Sequence, residues 1–482
     1  MATKRTTMSG AGAPATLRAW QARLLASPAK DFEADALELL WSCAGQDDVE
    51  ARGEALRSTP GLAAAGAGLL AALWARSDQA RAEKALARAE QLDDGAGPAR
   101  LGLVAAGCRL GQRGSEAAFD ALAAELRQRN AVAELFGVAV AAGRVDVLPS
   151  LVPELAELPL PAPMVMAALG HALDEWGLDA PWLKDLFAAL EEQPVPNAGV
   201  LAGVLAWCIA RGRPETYLQL ARKHPAVFDD AKVTMNAPGS YLERALLELE
   251  RRDPALAVAE ASRLLTSVDL DECVTPALRA LWVLRRHAPR KASAFLAKQK
   301  RRLQGDARFA WAAAAGDDER ARKALEAGDV DLLLVARFTE SAELAAELLE
   351  AGLRGDPTAW GAAESLSRWR LLAPEAARAF VEASVEEARK KKGSERDEAS
   401  ERAAAFAGAI GDASLATRVL GPLSPRQREA PVREWMLAAL RARAFTTACA
   451  AVEAAPERLW RNVNVMVSWE ALTLPWAPAQ PE

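Results

Sequence analysis

Strand-forming residues are scarce in this chain. Its 482 residues include two isoleucines (Ile209, Ile410) and two tyrosines (Tyr217, Tyr241), while Ala, Leu, Arg and Glu fill segment after segment. The scarce types favour strands and the abundant ones favour helices, which excludes a sheet as the main architecture. Cysteine is also sparse: Cys43, Cys108, Cys208, Cys273 and Cys449 stand singly, with no C-x-x-C. That excludes a disulfide framework or a paired-cysteine zinc cage and points to a reducing, cytoplasmic compartment.

The three histidines, His171, His224 and His287, are far apart and lie in no H-E-x-x-H motif. Neither G-x-S-x-G nor G-x-x-x-x-G-K-[ST] occurs, and the two G-x-G-x-x-A matches, at Gly10 and Gly66, follow no strand pattern. No catalytic residue, metal ligand or cofactor site is therefore expected. Long hydrophobic runs are missing too. The longest, 61–75 and 198–210, fall short of the roughly 20 residues of a bilayer span and read as buried helices. Lys4 and Arg5 lead into a stretch without an apolar signal core, so residues 1–14 are expected to form a flexible tail.

What the chain does have is helical grammar, repeated. In 240–268, Ser240 and Glu243 have capping-box spacing, Tyr241, Leu242, Ala245, Leu246 and Leu249 share one face, and Asp253-Pro254 restarts a helix. Glycine then acid or turn residue recurs as punctuation: "GRVD" at 143, Gly305-Asp306, Gly316-Asp317, Gly328-Asp329, "GDPT" at 355 and "GDAS" at 411. Glycine there can end a helix in the left-handed region while aspartate caps the next. The aspartates of 305–331, including Asp318 and Asp331, thus read as helix starts and not as a site.

Helices this short are marginal alone and must stack. The expected fold is all-α, an α-solenoid of roughly 24–28 helices in stacked hairpins. Residues 77–129, with Ala85-Leu86 and Arg88-Ala89 on one helix, a "DDGAGP" turn at 93–98 and a Gly/Ala-punctuated hairpin after it, resemble a degenerate tetratricopeptide-like or HEAT-like repeat. The early Trp and closing Pro of the tetratricopeptide pattern are absent. The resemblance implies a peptide- or protein-binding scaffold. Breaks are expected at the Pro-rich 148–163, at 191–197, at 224–240 and at the charged 389–398. These suggest lobes over 15–230 and 238–482, or one continuous solenoid.

Two features could carry binding. Fourteen tryptophans are present; most occupy apolar positions and read as core, while Trp360, Trp369 and those near the carboxyl end are candidate anchors for a partner. The second feature is charge. Between Cys273 and Gly305 there are nine Lys/Arg and no Asp/Glu, so that the chain's −6 leaves −15 elsewhere. Arg285, Arg286, Arg290, Lys291, Lys298, Arg301 and Arg302 are the candidate partner- or polyanion-binding residues; the alternative is pairing with acids on neighbouring helices.

These observations lead to the expectation of a non-catalytic cytoplasmic scaffold binding a protein partner. The rival is nucleic-acid or other polyanion binding through 279–302, extending to a DNA-modifying protein built on HEAT-like repeats. The punctuation reading has a direct test: Asp317→Ala should cost about 1 kcal/mol in urea or thermal melts and alter no activity.

Overall fold

Short apolar helices with glycine-marked ends predict elements that cannot stand alone, and the computed structural model consists of such elements. It describes residues 63–454, apart from 76–77, 93–96, 159–162, 195–197, 230–239, 268–269, 271–273, 300–306, 328–329, 356–361 and 443. These residues hold 24 α-helices, one short 3-10 helix and no strand. The chain divides into two units at Gly212/Arg213. The break lies ahead of the expected 230–238 because the helix over 214–223 packs forward, onto the helices over 241–252 and 254–267.

The first unit contains α1 (Ala63–Trp74), α2 (Gln79–Leu92), α3 (Gly97–Arg109), α4 (Ser115–Gln128), α5 (Val132–Ala142), α6 (Leu148–Glu157), α7 (Pro163–Trp176), α8 (Pro181–Glu191) and α9 (Ala198–Ala210). Each odd-numbered helix packs against the odd-numbered helix that follows, from α1 to α9, while α2 and α4 lie beside them. The sequences explain this arrangement. In α5, every residue from Leu135 to Ala142 is buried, as expected of a helix apolar nearly all round. At the α1–α3 crossing, a Cβ on Gly68 would come within 3.2 Å of Gly102 C and Leu103 N, so the small residues of the Gly66 motif serve close packing. The Pro-rich 148–157 is helix rather than a break. Pro149 occupies the first turn, where no N–H is needed, and Pro153 forfeits one ladder bond while Leu148, Leu151, Val152 and Leu155 are buried.

The second unit contains α10 (Pro214–Lys223), α11 (Tyr241–Arg252), α12 (Pro254–Ser267), α13 (Val274–His287), α14 (Pro289–Gln299), α15 (Arg308–Ala315) and α16 (Asp318–Arg322), the last running into the 3-10 helix Lys323–Glu326. It continues with α17 (Leu332–Phe338), α18 (Ala342–Gly355), α19 (Ala362–Leu372), α20 (Pro374–Lys390), α21 (Gly393–Ile410), α22 (Ala413–Leu420), α23 (Glu429–Arg441) and α24 (Phe445–Ala454). Odd packs on odd again, from α11 to α23, and α20, α22 and α24 form a second row. The charged 389–398 bends only at Lys391-Lys392.

Three helix ends share one solution. Gly143, Gly316 and Gly411 take φ of 74°, 81° and 73°. In each case the next N–H reaches back to close the last turn: Arg144 to Ala139 O, Asp317 to Ala312 O and Asp412 to Ala407 O, all at 2.9 Å. Each glycine also lies under an arginine from the last turn of the preceding odd helix: Arg109 over Gly143, Arg285 over Gly316 and Arg370 over Gly411. Arg109 donates to Ala141 O at 2.7 Å and Val140 O at 2.8 Å, and Arg370 donates to Ile410 O at 2.8 Å. These bonds serve carbonyls that the helix itself leaves open.

After Gly316 and Gly411 the new helices start as the sequence predicts: Asp317 accepts from Arg320 N at 3.0 Å, and Asp412 from Ser414 N at 3.0 Å and Leu415 N at 3.1 Å. After Gly143 the next helix does not, since α6 follows Val147 without a side-chain cap and Asp146 accepts from Arg144 Nε at 2.9 Å instead. Asp331 caps α17 through Leu334 N at 2.9 Å. Gly305, Asp306, Gly328 and Asp329 lie outside the described residues. Arg322, in i,i+4 position to Asp318, instead reaches Glu347 on α18 at 2.5 Å.

Two glycines give a paired prediction. A Cβ on Gly408 would collide with Trp435 O and stand 3.0 Å from Trp435 Cδ1 and 3.1 Å from Ala439 N. Gly408→Ala should therefore destabilise by about 3 kcal/mol in chemical denaturation. Gly170, inside α7, has nothing within 4 Å of its would-be Cβ, so Gly170→Ala should stabilise by about 0.5–1 kcal/mol.

Candidate functional site: the charged seam of α11, α13 and α14

The candidate basic segment falls on α13 and α14, and its surroundings start with the acids of α11. Ser240 caps α11 by accepting from Glu243 N at 3.0 Å. The Glu243 side chain is 2% exposed. Its Oε1 receives Arg279 Nε at 3.1 Å and Nη2 at 2.9 Å, and its Oε2 receives Arg337 Nη2 at 2.7 Å. One carboxylate thus ties α11 to α13 and α17. Two turns on, Glu250 receives Arg286 Nη1 at 3.2 Å and lies 3.0 Å from His287 Nε2.

Both rungs, Glu243–Arg279 and Glu250–Arg286, span 36 residues. Acids seven apart on α11 therefore meet arginines seven apart on α13, since residues seven apart share a helix face. Arg285 pairs with Glu340 and lies 5.1 Å from the Trp282 ring centre. Elsewhere in the unit, buried Glu260 on α12 accepts from Arg263 at 2.6 Å and pairs with Arg222 of α10. Buried charges persist when paired on all sides, and removing one partner strands the others.

The structure therefore divides the candidates. Arg286 and Arg279 are taken up by acids of α11 and Arg285 by Glu340 in the α17–α18 connection, so the pairing alternative accounts for them. Arg290, Lys291 and Lys298 project from α14 as exposed residues, and no ion pair involves them among the described residues. Arg301 and Arg302 lie outside the described residues, as does Trp360. Trp369 is 1% exposed, with its ring 5.6 Å from that of Phe380; it is core, not a surface anchor, because α19 turns it towards α20. The sequence reasoning missed the acids of the seam. Glu243 and Glu250 are in plain view in the sequence, but nothing local marks them as buried.

Two other places could do chemistry. A shallow cavity between α1 and α2 is lined by Ala67, Leu70, Trp74 and Ala85, with Arg81, Lys84 and Arg88 along one side. Arg81 stacks on Trp74, 3.6 Å from the ring centre, so the cavity combines an apolar floor with a cationic rim. Cys108 donates to Ser115 O at 3.3 Å, and burial pushes its thiol up, which makes it a poor nucleophile at neutral pH. Among the described residues, no group of three His, Cys, Asp or Glu is placed to hold a metal ion, and no helix is long and apolar enough to cross a membrane.

The chain matches no protein-family model, and no curated protein or solved structure is significantly similar to it. Any functional reading therefore rests on its own residues.

The seam gives a stability prediction. Glu243→Gln should cost about 3 kcal/mol in urea melts, because two guanidinium groups lose their counter-charge inside the packing. Arg290→Gln, on the exposed face of the next helix, should stay within about 0.5 kcal/mol of the parent.

Proposed function

We propose that this chain is a non-catalytic helical-repeat scaffold of the cytoplasm, an α-solenoid of degenerate tetratricopeptide-like or HEAT-like hairpins that binds a protein partner along its stacked helices. The observation that carries the reading is the recurring joint in which a last-turn arginine of one odd helix covers the left-handed glycine ending the next. Arg109 and Gly143 are 34 residues apart, Arg285 and Gly316 are 31, and Arg370 and Gly411 are 41. Those intervals bracket the length of two-helix units, about 34 residues in tetratricopeptide repeats and about 40 in HEAT-like ones. Their inequality is what degenerate repeats produce. A chain built by adding similar hairpins gains surface in proportion to length, and that surface binds without any local motif.

Crosslinking in native extract of the source cells, followed by mass spectrometry, tests the reading. The expected result is a stoichiometric protein partner whose crosslinks fall on exposed lysines of the helical array, Lys84 and Lys184 among them. If the purified chain turns over a substrate and retains no protein, the scaffold reading is wrong.

A further inference from the structure

Once the arginines of α13 are assigned to acids, a compact cationic face remains on α14. Arg290, Lys291 and Lys298 are exposed on it, and the helix and its flanks from 274 to 304 contain no acid. At about 100° per residue, Lys291 and Lys298 lie within about 20° of each other, with Arg290 about 100° from Lys291. Along the axis, the two lysines are about 10 Å apart. The opposite side holds the helix in place: Ala292 is buried against the protein, and the Phe295 ring lies 6.2 Å from that of Trp311. Between the cations, the exposed positions are Ser293, Ala294 and Ala297.

We propose that this face of α14 binds the phosphodiester backbone of nucleic acid, without reading base sequence. This goes beyond the scaffold reading and stands independently of it. Three features select this ligand among polyanions. The cations sit on a formed helix and face water, so they meet phosphate without first breaking an internal pair. No bulky apolar side chain is exposed among them, whereas a protein interface draws its energy from buried aromatic or aliphatic anchors. For the same reason the face offers a bilayer nothing to insert, since interfacial helices bury large apolar residues in the acyl boundary. Backbone phosphates need only charge, because their binding energy comes largely from counterion release.

The test is fluorescence anisotropy of the full chain with a labelled single strand and a labelled duplex of about 30 nucleotides or base pairs. Three phosphate contacts predict a log–log salt slope of about −2 to −3, so affinity should fall about 20- to 40-fold between about 50 and 200 mM salt. The variant Arg290→Glu/Lys291→Glu/Lys298→Glu should lose at least about tenfold at low salt and flatten the slope. A control carrying the same change in net charge at exposed cations elsewhere, Arg113→Glu/Lys392→Glu/Arg426→Glu, should retain the parent affinity.

Melting curves should show both variants folded, and Arg290→Gln/Lys291→Gln/Lys298→Gln provides the same comparison with a milder change. Absence of binding to either nucleic acid at low salt overturns the proposal. So does an equal loss in the control, which would mark bulk charge as the cause. Preferential binding of polyglutamate or phosphatidylserine vesicles through the same residues would also overturn it, by assigning the face to a different ligand.

Discussion

A short helix has to dispose of its last carbonyls, and in this chain that requirement organises everything else. Elements of about three turns leave a large share of their backbone groups without intrahelical partners. At the ends of α5, α15 and α21 a left-handed glycine closes part of the last turn under an arginine of the preceding odd helix, and Arg109 and Arg370 bond the carbonyls that remain. Arg109 does more than cap. Its Nη1 and Nη2 also meet the two oxygens of Glu175 at 2.6 Å each, so one guanidinium fixes α3, α5 and α7 together. Glu243 mirrors it with opposite charge, one carboxylate holding α11, α13 and α17. Packing of apolar faces supplies most of the stabilisation, and the close fit at Gly68 and Gly408 already favours one register. The directional bonds at these joints favour the register in which donor and acceptor meet.

Close approach is the second half of the same constraint. Successive odd helices also approach closely at two crossings where glycine leaves room for the neighbouring helix: Gly68 of α1 against Gly102 and Leu103 of α3, and Gly408 of α21 against Trp435 and Ala439 of α23. The alanine-rich composition, which looks like low information in the sequence, therefore acts as a spacing rule. The large side chains gather between the rows. The Phe380 ring lies 5.6 Å from both Trp369 and Phe406, which joins α19, α20 and α21.

Much of this was legible from neighbouring residues alone. The caps at Ser240, Asp317 and Asp412 and the glycine stops at 143, 316 and 411 depend on contacts within six residues, and the sequence places them correctly. What was not legible depends on distance. Glu243 meets Arg279 across 36 residues and Arg337 across 94, and only the packing of α11, α13 and α17 brings them into reach. Trp369 is flanked by Arg368 and Arg370, a polar setting that reads as surface, and only the packing of α19 against α20 buries it. Pro149 and Pro153 look like a break because proline usually is one; burial of four large aliphatic residues in α6 outweighs a single lost ladder bond.

That contrast bears on how charge should be read in helical arrays. A run of nine cations without an acid looks like one binding surface, but its members are not equivalent once register is fixed. Arginine reaches far and bonds in a plane, which suits it to carbonyl ends and buried carboxylates, and Arg279 and Arg286 of α13 are used in that way on Glu243 and Glu250. On α14, Lys291 and Lys298 hold compact, strongly hydrated charges, and the helix turns its bulky Phe295 towards Trp311, so cation after cation is left facing water. What the architecture does not consume is the part of the sequence still free to meet a ligand. In the described part of this basic segment, that residue of charge is confined to a single helix of eleven residues.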